Sequence, residues 1–224
     1  MARVGTARAR SSVDKEERRA GILVVVRDLF ERMPYPEITM AEVATRAALA
    51  KGTLYLYFPS KESLFLALQE QELLDWFDDI DAALADSSPC GIDAVVRHLS
   101  ASVARHPALV RLLAILHTAL ERNIDQATAS AFKGMTRGRL LATGVLLERC
   151  LSWLVPGDGA RLLLQVYALA IGLQHLADPA PVIREVLADP DMALFLIDFD
   201  DQFTRAVRLL LLGLETQTPE DPLG

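Results

Sequence analysis

The sequence predicts an all-α protein: a three-helix N-terminal helix-turn-helix domain followed by a larger helical C-terminal domain. Three observations carry this reading. No run in the 224 residues sustains the strict apolar–polar alternation of a half-buried strand, whereas apolar residues recur three and four apart along most of the chain. Residues 39–61, TMAEVATRAALAKGTLYLYFPSK, spell two short helices joined by a tight turn. Two stretches near the C-terminus are apolar nearly all round, so each needs cover on two sides.

Taken in order, residues 1–13 are polar and carry Arg3, Arg8 and Arg10 without the apolar core of a signal peptide, and are expected to form a flexible basic arm. A first helix should start near Asp14, bury Ile22, Val25, Val26, Leu29, Phe30 and Met33, and end before Pro34 and Pro36. Thr39 and Glu42 form a T-x-x-E capping box, flanked by Ile38 and Val43 at the spacing of a hydrophobic staple. The next helix therefore starts near Met40, with Ala44 and Ala47 small enough for a close crossing. The turn at Ala48-Leu49-Ala50 lacks the usual glycine. Ala48 or Leu49 must take left-handed backbone angles, at a cost of roughly 1 kcal/mol.

The following helix, about 51–57, can bury Leu54 and Phe58 but not Lys51, Gly52, Thr53, Tyr55 and Tyr57 with them. A helix of this size fits the major groove of DNA. Pro59-Ser60 stops it, and Ser60 can cap another helix whose N-terminus, with Lys61, suits a phosphate.

These residues carry a resemblance. Ile38-Thr39, AEVATRA and KGTLYLYFPSKESLF, within residues 14–65, resemble the DNA-binding domain of the tetracycline-repressor family of bacterial transcription regulators. The resemblance implies a homodimer whose N-terminal domains read a near-palindromic operator on double-stranded DNA. It also implies that the C-terminal domain dimerises and binds a small-molecule effector that releases DNA. By position, Lys51, Gly52, Thr53 and Tyr55 would approach bases or nearby sugar-phosphate, and Thr39, Tyr57 and Lys61 would hold phosphates. Leu56 stands where the family often has an aromatic.

The charge distribution suits that reading. The net charge is −7, yet residues 1–61 hold eleven Lys/Arg against seven Asp/Glu, and the remainder twelve against twenty-three. A basic head on an acidic body limits non-specific adhesion. Cys90 and Cys150 fit no metal spacing and are expected to be packing residues in a reducing cytoplasm. The four histidines form no metal motif, and no nucleophile elbow, phosphate loop or dinucleotide fingerprint occurs. Neither a catalytic constellation nor a cofactor or metal site is expected.

The C-terminal domain, 61–215, should hold helices at about 61–85, 92–105, 108–122, 126–154, 161–176, 182–187 and 192–214, with 216–224 a loose tail. The acidic residues Glu70, Glu72, Asp75, Asp78, Asp79 and Asp81 read as a solvated face. The helix at 161–176 and the last helix are the doubly apolar ones, and a partner subunit is the expected second cover. Leu169, Gly172, Phe199, Phe203 and Leu210 are the expected dimer contacts. The apolar run near 161–176 is about 15 residues, short of the ~20 that span a bilayer, so no membrane partner is expected. For the effector pocket the resemblance points to about 92–175, where His117, Trp153 and His175 are polar groups in apolar helices. Two rival readings exist: an architectural DNA-binding protein without an effector, and a helical enzyme with an accessory DNA-binding head.

Overall fold

The structure is a computed structural model describing residues 4–87 and 89–216, with the side chains of 4–13, 87, 117 and 118 outside the description. The end of the expected tail, 217–224, lies outside the described residues, as do 1–3. Among the described residues there is no strand. The chain divides into two compact units, one of residues 1–71 and 116–124, the other of 72–115 and 125–224.

In the first unit, α1 spans Val4–Arg32. It begins ten residues before the expected Asp14, so the expected arm is helical from Val4. Ala7, Arg8, Ala9 and Arg10 are strong helix formers and no proline interrupts them. Ile22, Leu23, Val26, Leu29 and Phe30 form its buried stripe. A 3-10 turn at Tyr35–Glu37 leads to α2, Met40–Arg46, and α3, Lys51–Tyr57. Then α4 runs Lys61–Ser87. Its first turns belong to this unit, because Phe65 makes edge contacts with Phe30 (5.5 Å) and Tyr35 (4.8 Å). The boundary between units therefore falls inside α4, after Gln71, and not at residue 60. Residues 116–120 are a π-helical turn, followed by a 3-10 turn at Glu121–Asn123. The α-helix expected over 108–122 thus stops at Ile115.

The second unit holds the rest of α4, α5 (Ile92–Arg105), α6 (Pro107–Ile115), α7 (Gln126–Cys150), α8 (Asp158–Ala177), α9 (Pro181–Val186) and α10 (Phe199–Glu215). In it α8 packs on α6, α7 and α10, and α10 on α5. The α7–α8 crossing is close: a Cβ on Gly159 would lie 2.1 Å from the Gly144 carbonyl oxygen. Glu148 of α7 caps α8, its Oε1 accepting from the amides of Gly157 (2.8 Å) and Gly159 (3.1 Å). Part of the acidic stretch is not a free solvated face. Arg139 of α7 donates to Asp78 (2.7 Å) and Asp81 (3.0 Å), and Arg105 of α5 to Asp79 (2.6 Å). Thr143 adds a hydrogen bond to Asp81 at 2.5 Å.

The last expected helix is shorter than 192–214. Pro190–Phe195 is a 3-10 turn, and α10 starts after Asp198, whose carboxylate accepts from the Asp201 amide at 2.9 Å. By contrast α8 is longer than expected. At 20 residues it is long and apolar enough to cross a bilayer by length and composition alone. Here it is a packed helix, with Leu162, Leu163, Val166 and Ala170 buried.

Candidate nucleic-acid interface

The reading head is built from backbone geometry upward. The Thr39 hydroxyl accepts from the Glu42 amide at 3.2 Å and so caps α2, while Ile38 and Val43 are both buried beneath it. Glu42 then pairs with Arg46 one turn on, at 3.8 Å. At the other end, Leu49 N–H donates to Ala44 O (2.8 Å) and Ala48 N–H to Thr45 O (3.1 Å). This is a Schellman closure, and it places Ala48 at φ 53, the left-handed residue that the sequence required. The closure turns the chain within three residues, so α3 leaves at a fixed angle to α2.

On α3, Leu54 and Phe58 are buried and anchor the helix. Lys51, Gly52, Tyr55 and Leu56 are exposed, and Thr53 and Tyr57 are half-buried. One face of a two-turn helix therefore offers a cation, a hydroxyl, a bare backbone, an aromatic ring and an aliphatic tip. Leu56 is 80% exposed, the most exposed large apolar side chain of this head. Burial patterning alone would have singled it out, since an outward leucine on a polar face has no packing role.

Ser60 caps α4. Its hydroxyl accepts from the Ser63 amide at 3.0 Å and its own amide donates to the Ser63 hydroxyl at 3.1 Å. Lys61 is used differently from the expected phosphate grip. Its ammonium donates to the Tyr35 carbonyl and lies 4.0 Å from the centre of the Tyr35 ring. Burial lowers its pKa, with Glu62 opposing. Tyr35 itself donates to Glu62 at 3.2 Å, and burial, then Glu62, push its phenol up to about 12. Lys61 thus ties the 3-10 turn to α4 in this conformation.

The expected contacts of the C-terminal unit fare unevenly. Phe203 is 1% exposed and stacks on Phe199 at 5.5 Å, so it belongs to the core of its own chain, not to a subunit boundary. The register of α10 is set by Thr204, which donates to Ser100 at 2.9 Å, and by Arg208, which pairs with Asp93. That register turns Phe203, Val207 and Leu211 inward. Leu169, Phe199 and Leu210 are half-buried and Gly172 is exposed. Outward-facing apolar residues lie instead at Leu164 and Leu176 of α8, at Leu209 and Leu212 of α10, and along 182–196.

Of the residues expected to orient an effector, His175 is exposed in the last turn of α8. It lies about 140° round the helix from the buried Ala170. Trp153 is half-buried in the turn after α7, which ends at Cys150 rather than near 154. The side chain of His117 lies outside the described residues. Sequence reasoning missed Trp76 and Ser102 of the second unit. Both are buried, and their indole Nε1 and hydroxyl Oγ have no hydrogen-bond partner among the described residues.

A capped short helix, a three-residue turn and an outward-facing polar second helix define a helix-turn-helix DNA-binding protein. Residues 22–68 match the family "Bacterial regulatory proteins, tetR family", and residues 70–218 match "Tetracyclin repressor-like, C-terminal domain". The chain belongs to the tetracycline-repressor family of transcriptional regulators. Among curated relatives, the transcriptional regulator RutR of Escherichia coli K12 is 27% identical over 172 residues, spanning 75% of this chain and 78% of its own. The transcriptional repressor KstR of Mycolicibacterium smegmatis is 34% identical over 105 residues, 44% of this chain and 50% of its own. Among solved structures, a putative regulator of this family from Mesorhizobium loti superposes with TM-score 0.55 at 18% identity, covering 89% of this chain and 97% of that one.

Proposed function

We propose that the protein is a cytoplasmic, dimeric repressor that occupies a palindromic operator and is released by a small apolar or amphipathic effector. The observation that carries the DNA reading is the outward face of α3, held by the Schellman turn at Ala48. Lys51, Gly52, Thr53 and Tyr55 approach bases or the adjoining backbone, and Leu56 supplies an apolar contact of the kind that reads a thymine methyl. Thr39 and Tyr57 hold phosphates, and Lys61 joins them by releasing the Tyr35 carbonyl.

Exposed apolar residues on α8 and α10 support dimerisation, which matches a two-fold site with half-sites ~34–36 Å apart. The buried Trp76 Nε1 and Ser102 Oγ, without a hydrogen-bond partner among the described residues, are polar groups that an effector entering the second unit would satisfy. Such an effector must bind the released conformation more tightly than the DNA-bound one. Relatives named as transcriptional regulators favour this role over an enzymatic one.

Gel shifts on the sequence upstream of the gene, with and without candidate effectors at stated salt, test the proposal. A repressor forms a specific complex that one effector class dissolves. Binding that no effector weakens and no sequence favours identifies an architectural protein instead.

A further inference from the structure

Cys90 and Cys150 are sixty positions apart in the chain and meet in the fold of the second unit. Cys90 sits in the connection between α4 and α5, half-buried, and Cys150 is the buried last residue of α7. The Cys90 amide donates to the Cys150 carbonyl at 3.2 Å. A backbone hydrogen bond of this length keeps the two Cα atoms within about 7 Å of each other, a limit that admits the separation disulfides use. The Cys150 thiol also donates to the Leu84 carbonyl of α4 at 3.7 Å, and the Cys90 and Cys150 side chains lie within hydrogen-bonding reach of each other.

We propose that Cys90 and Cys150 are a modification site: an oxidisable pair that a hydroperoxide closes into an intramolecular disulfide. Cys90, the more accessible thiol, attacks the peroxide oxygen. The O–O bond breaks, an alcohol or water leaves, and Cys90 becomes a sulfenic acid. Cys150 then attacks the Cys90 sulfur, water departs with the Cys150 proton, and the S–S bond forms. Two thiols lose two hydrogens and two electrons, and the peroxide takes both. An external thiol reverses the reaction by exchange.

The product joins the connection before α5 to the end of α7, two segments that already touch, so the helices keep their places while residues 90–150, which include α5, α6 and α7, become a closed loop. The pair is slow to react at neutral pH. Burial, then the neighbouring Cys150, push the Cys90 thiol up to about 12, against the opposing charge of Arg97. Thiolate is therefore scarce, and the attack speeds up about tenfold per pH unit over the neutral and mildly alkaline range.

The test uses the full chain, treated with hydrogen peroxide, trapped with N-ethylmaleimide and mapped by non-reducing mass spectrometry. The expected product is a monomeric chain lacking two hydrogens, with both thiols unlabelled and the Cys90 and Cys150 peptides joined. Dithiothreitol should restore both labels. Oxidation should raise Tm by on the order of 10 °C, as cross-linking a loop of this length does. Cys90→Ser should abolish the joined peptides and the Tm rise, and Cys150→Ser gives the same reading independently. Thiols that stay fully labelled, oxygen adducts on Cys90 without a link, or a disulfide between two chains would each overturn the proposal.

Discussion

At the scale of single residues, two backbone positions carry measurable strain or closeness. Ala48 holds left-handed angles in a turn where glycine pays no steric penalty. Ala48→Gly should therefore stabilise the protein by about 0.5–1 kcal/mol, read as a shift in urea midpoint at unchanged slope. Gly159 does the opposite. Its missing Cβ lets α8 touch the backbone of α7, and neither partner is a side chain that can swing away. Gly159→Ala should cost about 2–3 kcal/mol on the same assay. Tyr35 has a pH signature. Its phenol stays protonated to about pH 12 in the fold but ionises near 10 when unfolded. The folded state holds the extra proton between those values, so its stabilisation is intact below pH 10 and lost as pH rises toward 12. Tyr35→Phe should remove that alkaline loss from a stability–pH profile.

At the scale of elements, α3 is the part whose sequence explains its exposure. Lys51→Ala should weaken binding to all DNA sequences alike and lower the salt slope by about 1. Thr53→Ala, Tyr55→Ala and Leu56→Ala should instead shrink the gap between operator and unrelated DNA, each by about 1–3 kcal/mol. Titrations on both duplexes over a salt series separate these outcomes. The head was legible in the sequence because its signals are local: the T-x-x-E cap, the glycine-free turn at Ala48, and the outward residues around the buried Leu54. The same is true of the Ser60 cap. The C-terminal unit was less legible because its contacts join distant residues. Nothing in the sequence near Phe203 says that a bond from Thr204 to Ser100 will turn that ring inward. The α10 start was readable in principle, since Asp198 precedes Asp201 at capping distance, but the apolar run 194–197 masked it. Cys90 and Cys150 lie sixty residues apart, and no spacing rule brings them together. The π-helical turn at 116–120 has no signal that we can identify in LHTAL.

At the scale of the whole molecule, the charge split and the outward apolar residues belong to one design. The N-terminal part is basic and the remainder acidic, so only the head is drawn to phosphates. Leu164 and Leu176 of α8, with Leu209 and Leu212 of α10, are too exposed for a single chain to profit from them. If these residues form the proposed dimer interface, Leu176→Glu combined with Leu209→Glu should give a monomer in sedimentation velocity where the wild type sediments as a dimer, and that monomer should lose operator affinity because each head then binds alone. In the proposed complex, paired α3 helices read one palindrome. The decisive measurement is fluorescence anisotropy, with wild-type protein titrated onto a palindromic duplex taken from the sequence upstream of its gene and onto a scrambled duplex of equal length and salt. Binding to the palindrome should be at least ~10³-fold tighter, at two chains per duplex. Equal affinity for the two duplexes would contradict it.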